Sequence, residues 1–370
     1  MTHRPQGSAA SVCGHAQQFG GSAHRTAPGP HTERGRMRTG RRGGPTPGDR
    51  PRLTIDGVAR PRVSPLLVTR VCLAAVVANA VIVVTGALVR LTGSGLGCPT
   101  WPQCTGSSYV NTPAYGIHGV IEFGNRTLTF VLSLVVAACI LVTLAQHPRR
   151  RDLLWWSWSL FLGIVGQALL GGLTVRTHLN PWTVSAHFLL SMALIAAAVT
   201  LHVRSREPDG PAAALVHPQM RRLVSLLVGV TVAVLALGTL VTGSGPHAGD
   251  RTARRTGFDP AMVSHLHADA VMLLIGLTVA TLAGLRATGA PARVQRAATV
   301  LAGVELAQGA IGYLQYFLQL PVALVAAHVI GACTVWLAVL YLCFACRERV
   351  AVPVLISERV SAEPRGVPAR

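Results

Sequence analysis

Gln167-Ala-Leu-Leu-Gly-Gly-Leu173, running on to Val184-Ser-Ala-His187, returns later in the chain as Gln308-Gly-Ala-Ile-Gly-Tyr-Leu314, running on to Val325-Ala-Ala-His328. Both copies place a histidine 20 residues after the glutamine, with Gly171 over Gly312 and Leu173 over Leu314. A second correspondence pairs Gly86-Ala-Leu-Val-Arg-Leu-Thr-Gly-Ser-Gly95 with Gly238-Thr-Leu-Val-Thr-Gly-Ser-Gly245, once two residues of the first are skipped. Two matches in one consistent order read as an internal repeat, one structural unit used twice.

The sequence around these copies is apolar. Of 370 residues, 50% are hydrophobic and 13% charged, with a mean hydropathy of +0.45, whereas a soluble domain carries about a quarter charged residues. Eight stretches approach the ~20 apolar residues that a bilayer core demands: about 66–89, 117–145, 153–175, 182–203, 223–242, 262–285, 298–319 and 321–346. The last two meet at Gln319, Leu320 and Pro321, which predicts a tight hairpin. Four stretches per repeat is an even number, so both halves enter the membrane the same way round, as parallel repeats about an axis along the normal. The expected fold is an all-α integral membrane protein, with eight transmembrane helices in two pseudo-symmetric four-helix bundles, residues 64–205 and 206–348.

The formal net charge of +19 comes from 33 basic residues, every one an arginine. Such a charge ordinarily points to nucleic acid, but here the arginines sit in an amino-terminal tail and in short breaks between apolar runs. That tail, residues 1–63, has eleven arginines against three acids and no apolar stretch like that of a signal peptide. It reads as disordered; attraction to anionic lipid is its functional reading, and the favoured one is a species-specific extension or a start codon placed too far upstream. Residues 349–370 form a second tail. The breaks rich in arginine alternate with poorer ones, which places both termini in the cytoplasm of a multi-pass cell-membrane protein. The outer loops are then about 90–116, 176–181 and 243–261, plus the tight hairpin near 320.

Every second span starts at the outer face, and these spans carry the polar and ionisable groups: His118, Glu122, Asn125 and Arg126; His187; His265, His267 and Asp269; and His328. At about 1.5 Å per residue they lie within two turns of that face. Charged or titratable groups at such depth are costly and mark function. A lone histidine there usually makes a helix-to-helix hydrogen bond; three at matched depth on alternate spans point to ligation. The repeat register sets His187 under His328 and Asn125 under His267. The carboxyl half thus offers a His267/His328 pair on facing helices, the arrangement with which a bundle holds a haem iron axially. His265 is two residues away, on another face.

The amino half breaks this symmetry. It has His187, but Asn125 occupies the partner position, with Glu122 and His118 on the same helical face. The carboxyl half has Ser264 where the amino half has Glu122. An acid in one pocket only assigns chemistry to the amino half and cofactor binding to the carboxyl half; the competing reading is a Glu122–Arg126 ion pair. Eight cysteines are present, of which Cys98 and Cys104 share the loop Cys98-Pro-Thr-Trp-Pro-Gln-Cys104 and can oxidise outside the cytoplasm. Cys343 and Cys346 have CxxC spacing at an apolar helix end and read as packing residues.

Taken in order, Leu88-Val-Arg-Leu-Thr-Gly-Ser-Gly-Leu-Gly-Cys98 through Cys104, Ile121-Glu-Phe-Gly-Asn-Arg126, Leu179-Asn-Pro-Trp-Thr-Val-Ser-Ala-His187, Leu266-His-Ala-Asp269 and the span around His328 resemble the heme A synthase family, its actinobacterial-type members in particular. The resemblance covers residues 66–346. It implies oxidation of the C8 methyl of heme O to the formyl group of heme A, for cytochrome oxidase assembly. It further implies haem b ligated by His267 and His328, substrate heme O ligated by His187, Glu122 as the catalytic acid, and a Cys98–Cys104 disulfide. The family pattern has a histidine where this chain has Asn125. Either the substrate haem is five-coordinate, or His118 supplies the ligand.

Arg90, Arg126 and, more weakly, Arg176 are candidates to pair with haem propionates. The implied partners are heme O synthase, cytochrome oxidase assembly factors, an electron acceptor or donor, and membrane lipid, with no nucleic acid. The rival readings are a diheme b-type electron-transfer cytochrome, which would leave Glu122 and the cysteine loop without a role, and a transporter with the histidines as a proton relay.

Overall fold

A computed structural model describes residues 63–351; the basic amino-terminal tail and nearly all of the carboxyl-terminal one lie outside the described residues. Eight helices long and apolar enough to cross a membrane account for most of it: α1 Pro65–Leu91, α2 Gly116–Leu144, α3 Arg151–Arg176, α4 Pro181–Arg206, α5 Pro218–Ser244, α6 Pro260–Ala287, α7 Ala292–Phe317 and α8 Val322–Ala345. The chain is a multi-pass membrane protein. Four of these helices (α1, α4, α5 and α6) begin on a proline, whose fixed φ and missing N–H suit the first helical position. Side-chain caps complete several starts: Ser64 accepts from Leu67 N at 3.2 Å, Asn180 from Trp182 N at 2.9 Å and Asp259 from Ala261 N at 3.1 Å. The spans match those read from hydropathy, except that α5 and α7 begin five and six residues earlier. Their extra turns carry Arg221 and Arg222, and Arg293 and Arg296, so they are helical without being apolar.

The hairpins α3–α4 and α7–α8 are built alike. Leu179 N donates to Thr174 O at 2.9 Å and Leu320 N to Gln315 O at 2.8 Å, each closing the last helical turn with a wide loop of the Schellman kind. The two residues at each corner, His178 and Leu179 in one, Gln319 and Leu320 in the other, are left-handed, with φ between 51° and 60°. A left-handed non-glycine residue costs roughly 1–2 kcal/mol, so its occurrence twice at equivalent positions marks a shared geometry.

Within the amino half, α1 packs on α2 and α4, and α3 on the same two helices. Within the carboxyl half, α5 packs on α6 and α8, and α7 likewise on those two. The halves meet through α1, α4, α5 and α8, where the Trp336 indole N–H donates to Met192 O at 2.9 Å. One apolar core runs through both, from Val76 and Ile195 to Val335 and Val339. Other apolar side chains, such as Phe130, Leu134 and Leu162, point outward, as helices apolar all round do in lipid.

At the end away from the hairpins lies a feature hydropathy does not reach. Ala212–Ala214 (β1), between α4 and α5, pairs antiparallel with Arg347–Arg349 (β2), just after α8. Beside this ribbon Glu207 meets Arg204 at 2.9 Å, Arg349 at 3.5 Å and Arg347 at 3.6 Å. Arg204 also reaches Asp152 at 2.5 Å, and Arg150 pairs with both Asp152 and Asp209.

Candidate functional site

The four positions aligned by the repeat face four glycines. A side-chain carbon built at Gly171 on α3 would lie 3.2 Å from Cε1 of His187 on α4; at Gly312 on α7, 3.3 Å from Cε1 of His328 on α8; at Gly238 on α5, 3.4 Å from Cε1 of His267 on α6. At Gly86 on α1 it would lie 3.9 Å from Nδ2 of Asn125 on α2. Each glycine leaves room for the ring or amide of the neighbouring helix. The Nδ1 atoms of His187, His267 and His328 and Oδ1 of Asn125 are buried without a hydrogen-bond partner in the described residues.

The repeated glutamines acquire a role that spacing did not reveal. Gln167 Nε2 donates to His187 O at 3.1 Å and to Ser191 Oγ at 2.7 Å, and Gln308 Nε2 donates to His328 O at 2.8 Å. Each glutamine therefore fixes the height of one histidine against the neighbouring helix. The repeat marked both residues, but an acceptor on the backbone leaves no trace in sequence.

The amino half adds a clamp. Glu122 is buried, and its two oxygens take different donors: Oε1 accepts from Arg126 Nη2 at 2.6 Å and Oε2 from Cys98 N at 2.7 Å. Arg126 donates onward to the carbonyls of Cys98 at 2.8 Å, Thr100 at 3.0 Å and Gln103 at 3.3 Å. These bonds pin the loop closed by the Cys98–Cys104 disulfide onto α2. Trp101, at the loop tip, packs so closely on Gly172 that a side chain there would collide with the indole. Gly172 adjoins Gly171, so the loop tip and His187 pack on the same turn of α3. The ion pair and the disulfide loop thus form one unit.

His118 lies apart from this clamp. It is exposed at the start of α2, and its Nδ1 shares a 2.9 Å hydrogen bond with Ser94 Oγ. His265 and Asp269 are exposed while His267 turns inward, and Arg176 is exposed. Arg90 leaves its own half: Nε donates to His247 O at 2.7 Å and Nη2 to Thr242 O at 2.9 Å. Cys346 is buried and Cys343 exposed.

Residues 69–340 match the family described as cytochrome oxidase assembly protein. The chain belongs to this family. Among similar members of known name, the heme A synthase of Oceanobacillus iheyensis is 31% identical over 100 residues, 27% of this chain and 32% of that protein. The heme A synthase of Geobacillus kaustophilus is 31% identical over 137 residues, 36% of this chain and 42% of its own length. The protoheme IX farnesyltransferase of Thermus thermophilus is 27% identical over 311 residues, 78% of this chain and 50% of that protein. The chain thus spans half or less of the length of each of these three relatives.

The carboxyl-half pair of this cytochrome oxidase assembly protein fits a haem. With an imidazole nitrogen roughly 2 Å from its metal and about 1.1 Å from its ring centre, two axial rings are centred about 6 Å apart. The rings of His267 and His328 are centred 6.4 Å apart, with planes at 68°. The amino half presents one such histidine, His187, with Asn125 at the position that the repeat aligns with His267.

Proposed function

We propose that this protein is a heme A synthase, oxidising the C8 methyl group of heme O to the formyl group of heme A. The observation that carries this is the glycine-and-histidine register, present in both halves, with the Glu122 clamp in the amino half alone. In this reading residues 64–205 form the bundle that takes the substrate and residues 206–348 the bundle that holds haem b. Haem b between His267 and His328 would supply one-electron transfer beside the reaction. His187 ligates the substrate iron and so fixes the macrocycle, while Asn125 faces the opposite side in place of a second ligand. Glu122, held beneath the disulfide loop, takes up or returns a proton as the methyl group is oxidised, as a positioned carboxyl can. Arg126 holds Glu122 and the disulfide loop together, and Trp101 closes water out.

The arginine distribution supports a cell-membrane protein with both termini in the cytoplasm and both haem sites towards the outer face. Similarity to a protein named protoheme IX farnesyltransferase supports a place in a related pathway, in which a heme O synthase would supply the substrate. Producing the full chain together with a heme O synthase, in a host that lacks heme A, tests the activity. Chromatography of the extracted haems should reveal heme A or a hydroxylated heme O. Recovery of unmodified heme O and haem b alone would favour a diheme electron-transfer cytochrome.

A further inference from the structure

Two carboxyls are buried among the described residues, Glu122 and Glu305. Glu122 is paired with an arginine, whereas Glu305 forms no ion pair within 4.0 Å among those residues. It stands near the middle of α7 and is 3% exposed. Oε1 accepts from Thr278 Oγ1 of α6 at 2.9 Å, while Oε2 is buried without a hydrogen-bond partner in the described residues. An ionisable group at that depth is costly and marks function.

Packing does not call for an acid here. The register that sets His187 under His328 sets Ile164 under Glu305, and the one that sets Asn125 under His267 sets Val136 under Thr278. Ile164 and Val136 are both buried, so the amino half fills the equivalent place with an apolar pair. That is the less costly filling, since a buried carboxyl oxygen without a partner opposes folding. The carboxyl half alone carries the acid, as it alone carries the His267/His328 pair.

Position connects the two. Glu305 lies seven residues before Gly312, which packs on the ring of His328. Seven residues are close to two turns, so both share one face of α7, with Glu305 about 10 Å further into the membrane. The helices packed on α7 are α6 and α8. Their inward-turned titratable groups are His267 on α6 and His328, Cys333 and Tyr341 on α8; the other titratable side chains of α6, α7 and α8 are exposed. No positive side chain therefore neutralises Glu305 from its surroundings. Unit charges about 10 Å apart, at an effective dielectric of about 20, change a proton equilibrium roughly tenfold.

We propose that Glu305 is a proton-binding site coupled to the carboxyl-half histidines, taking up one proton when a haem held by His267 and His328 gains one electron from a one-electron donor. The electron cancels one positive charge, and the proton forms an O–H bond on the carboxylate, so the interior keeps its net charge. The proposal rests on the haem reading of that pair. To test it, the full chain in nanodiscs, loaded with protohaem, is titrated at an electrode through redox mediators over a range of pH. The midpoint potential of the bis-histidine haem should fall as pH rises, because proton uptake favours reduction. Haem propionates titrate as well, so the deciding quantity is the difference between the wild type and Glu305→Gln, which keeps the shape and cannot ionise. The wild type should span about 59 mV more between its acid and alkaline limits, a tenfold coupling for one electron. Thr278→Val, which keeps the carboxyl and removes its donor, should retain that extra span.

Equal spans in the wild type and Glu305→Gln would overturn the assignment of Glu305 alone. If the glutamine variant does not accumulate, reduced-minus-oxidised infrared difference spectra of the wild type and of Glu122→Gln stand in, with isotope-labelled propionates on the haem. Both proteins should gain an unshifted band of a protonated carboxyl on reduction; its absence from either would overturn the assignment. Absence of a bis-histidine haem spectrum from the wild type would overturn the underlying haem reading, and the proton coupling with it.

Discussion

The amino and carboxyl halves share a scaffold and differ in what they add to it. Both set a ring or amide against a glycine one helix away, both turn their hairpins through two left-handed residues, and both fix a histidine carbonyl with a glutamine. The carboxyl half completes a symmetric pair, His267 and His328, beneath a short loop without cysteines. The amino half replaces one histidine by Asn125 and invests in a longer loop, a disulfide, and the Glu122–Arg126 clamp. Two copies of one framework thus separate into a site with a pair of histidines and a site with one histidine, an amide and a buried acid. The difference resides in side chains at a few equivalent positions, while the helices that carry them keep one packing order.

That comparison can be broken most sharply at the ligands. His267→Ala or His328→Ala should abolish the low-spin haem b spectrum of the purified protein, and an unchanged bis-histidine spectrum in either would move the ligation elsewhere. Next in size, Glu122→Gln should lower heme A yield about 100-fold or more, the range of a positioned acid–base group, and leave the haem b spectrum intact. A normal yield would reduce Glu122 to an anchor for the loop.

The departure at Asn125 is sharpened by making the halves alike. Asn125→His should add a second six-coordinate signal when heme O is bound, and His118→Ala should alter the spectrum little, because His118 sits at the exposed start of α2 on Ser94. Loss of substrate-haem binding in His118→Ala would show that this histidine is the missing ligand. The smallest effects are graded ones. Gly→Ala at 171 and 312, and less so at 238, should push the adjacent imidazole by a few tenths of an ångström and perturb the adjacent haem spectrum. Gly86→Ala, with more room, should do least by thermal unfolding and absorption; an equal cost at all four positions would deny the difference in clearance.

The helices were legible because lipid forces the issue: a span must be apolar for about 20 residues, and eight runs such as that ending at Val89 satisfy this. The repeat was legible because Gln167 and Gln308 stand at one distance from their histidines. What stayed hidden depends on backbone partners or on polar ends. Arg221 and Arg293 lie on helical turns beyond the apolar run, so hydropathy starts α5 and α7 late. The destination of Arg90 is a pair of carbonyls more than 150 residues away, and carbonyls are the same in every sequence. Ala212–Ala214 carries no alternation that would announce a strand. The Glu122–Arg126 spacing predicted contact, but the bond from Cys98 N that joins this pair to the disulfide loop required the fold.

The ribbon β1–β2 has a topological consequence. Ala212 pairs with Arg349, so the chain enters the carboxyl half and leaves it at neighbouring points, about 5 Å apart across two paired strands. The ribbon therefore ties the end of the α5–α8 segment back to its beginning and closes the carboxyl half on itself at the end away from the hairpins.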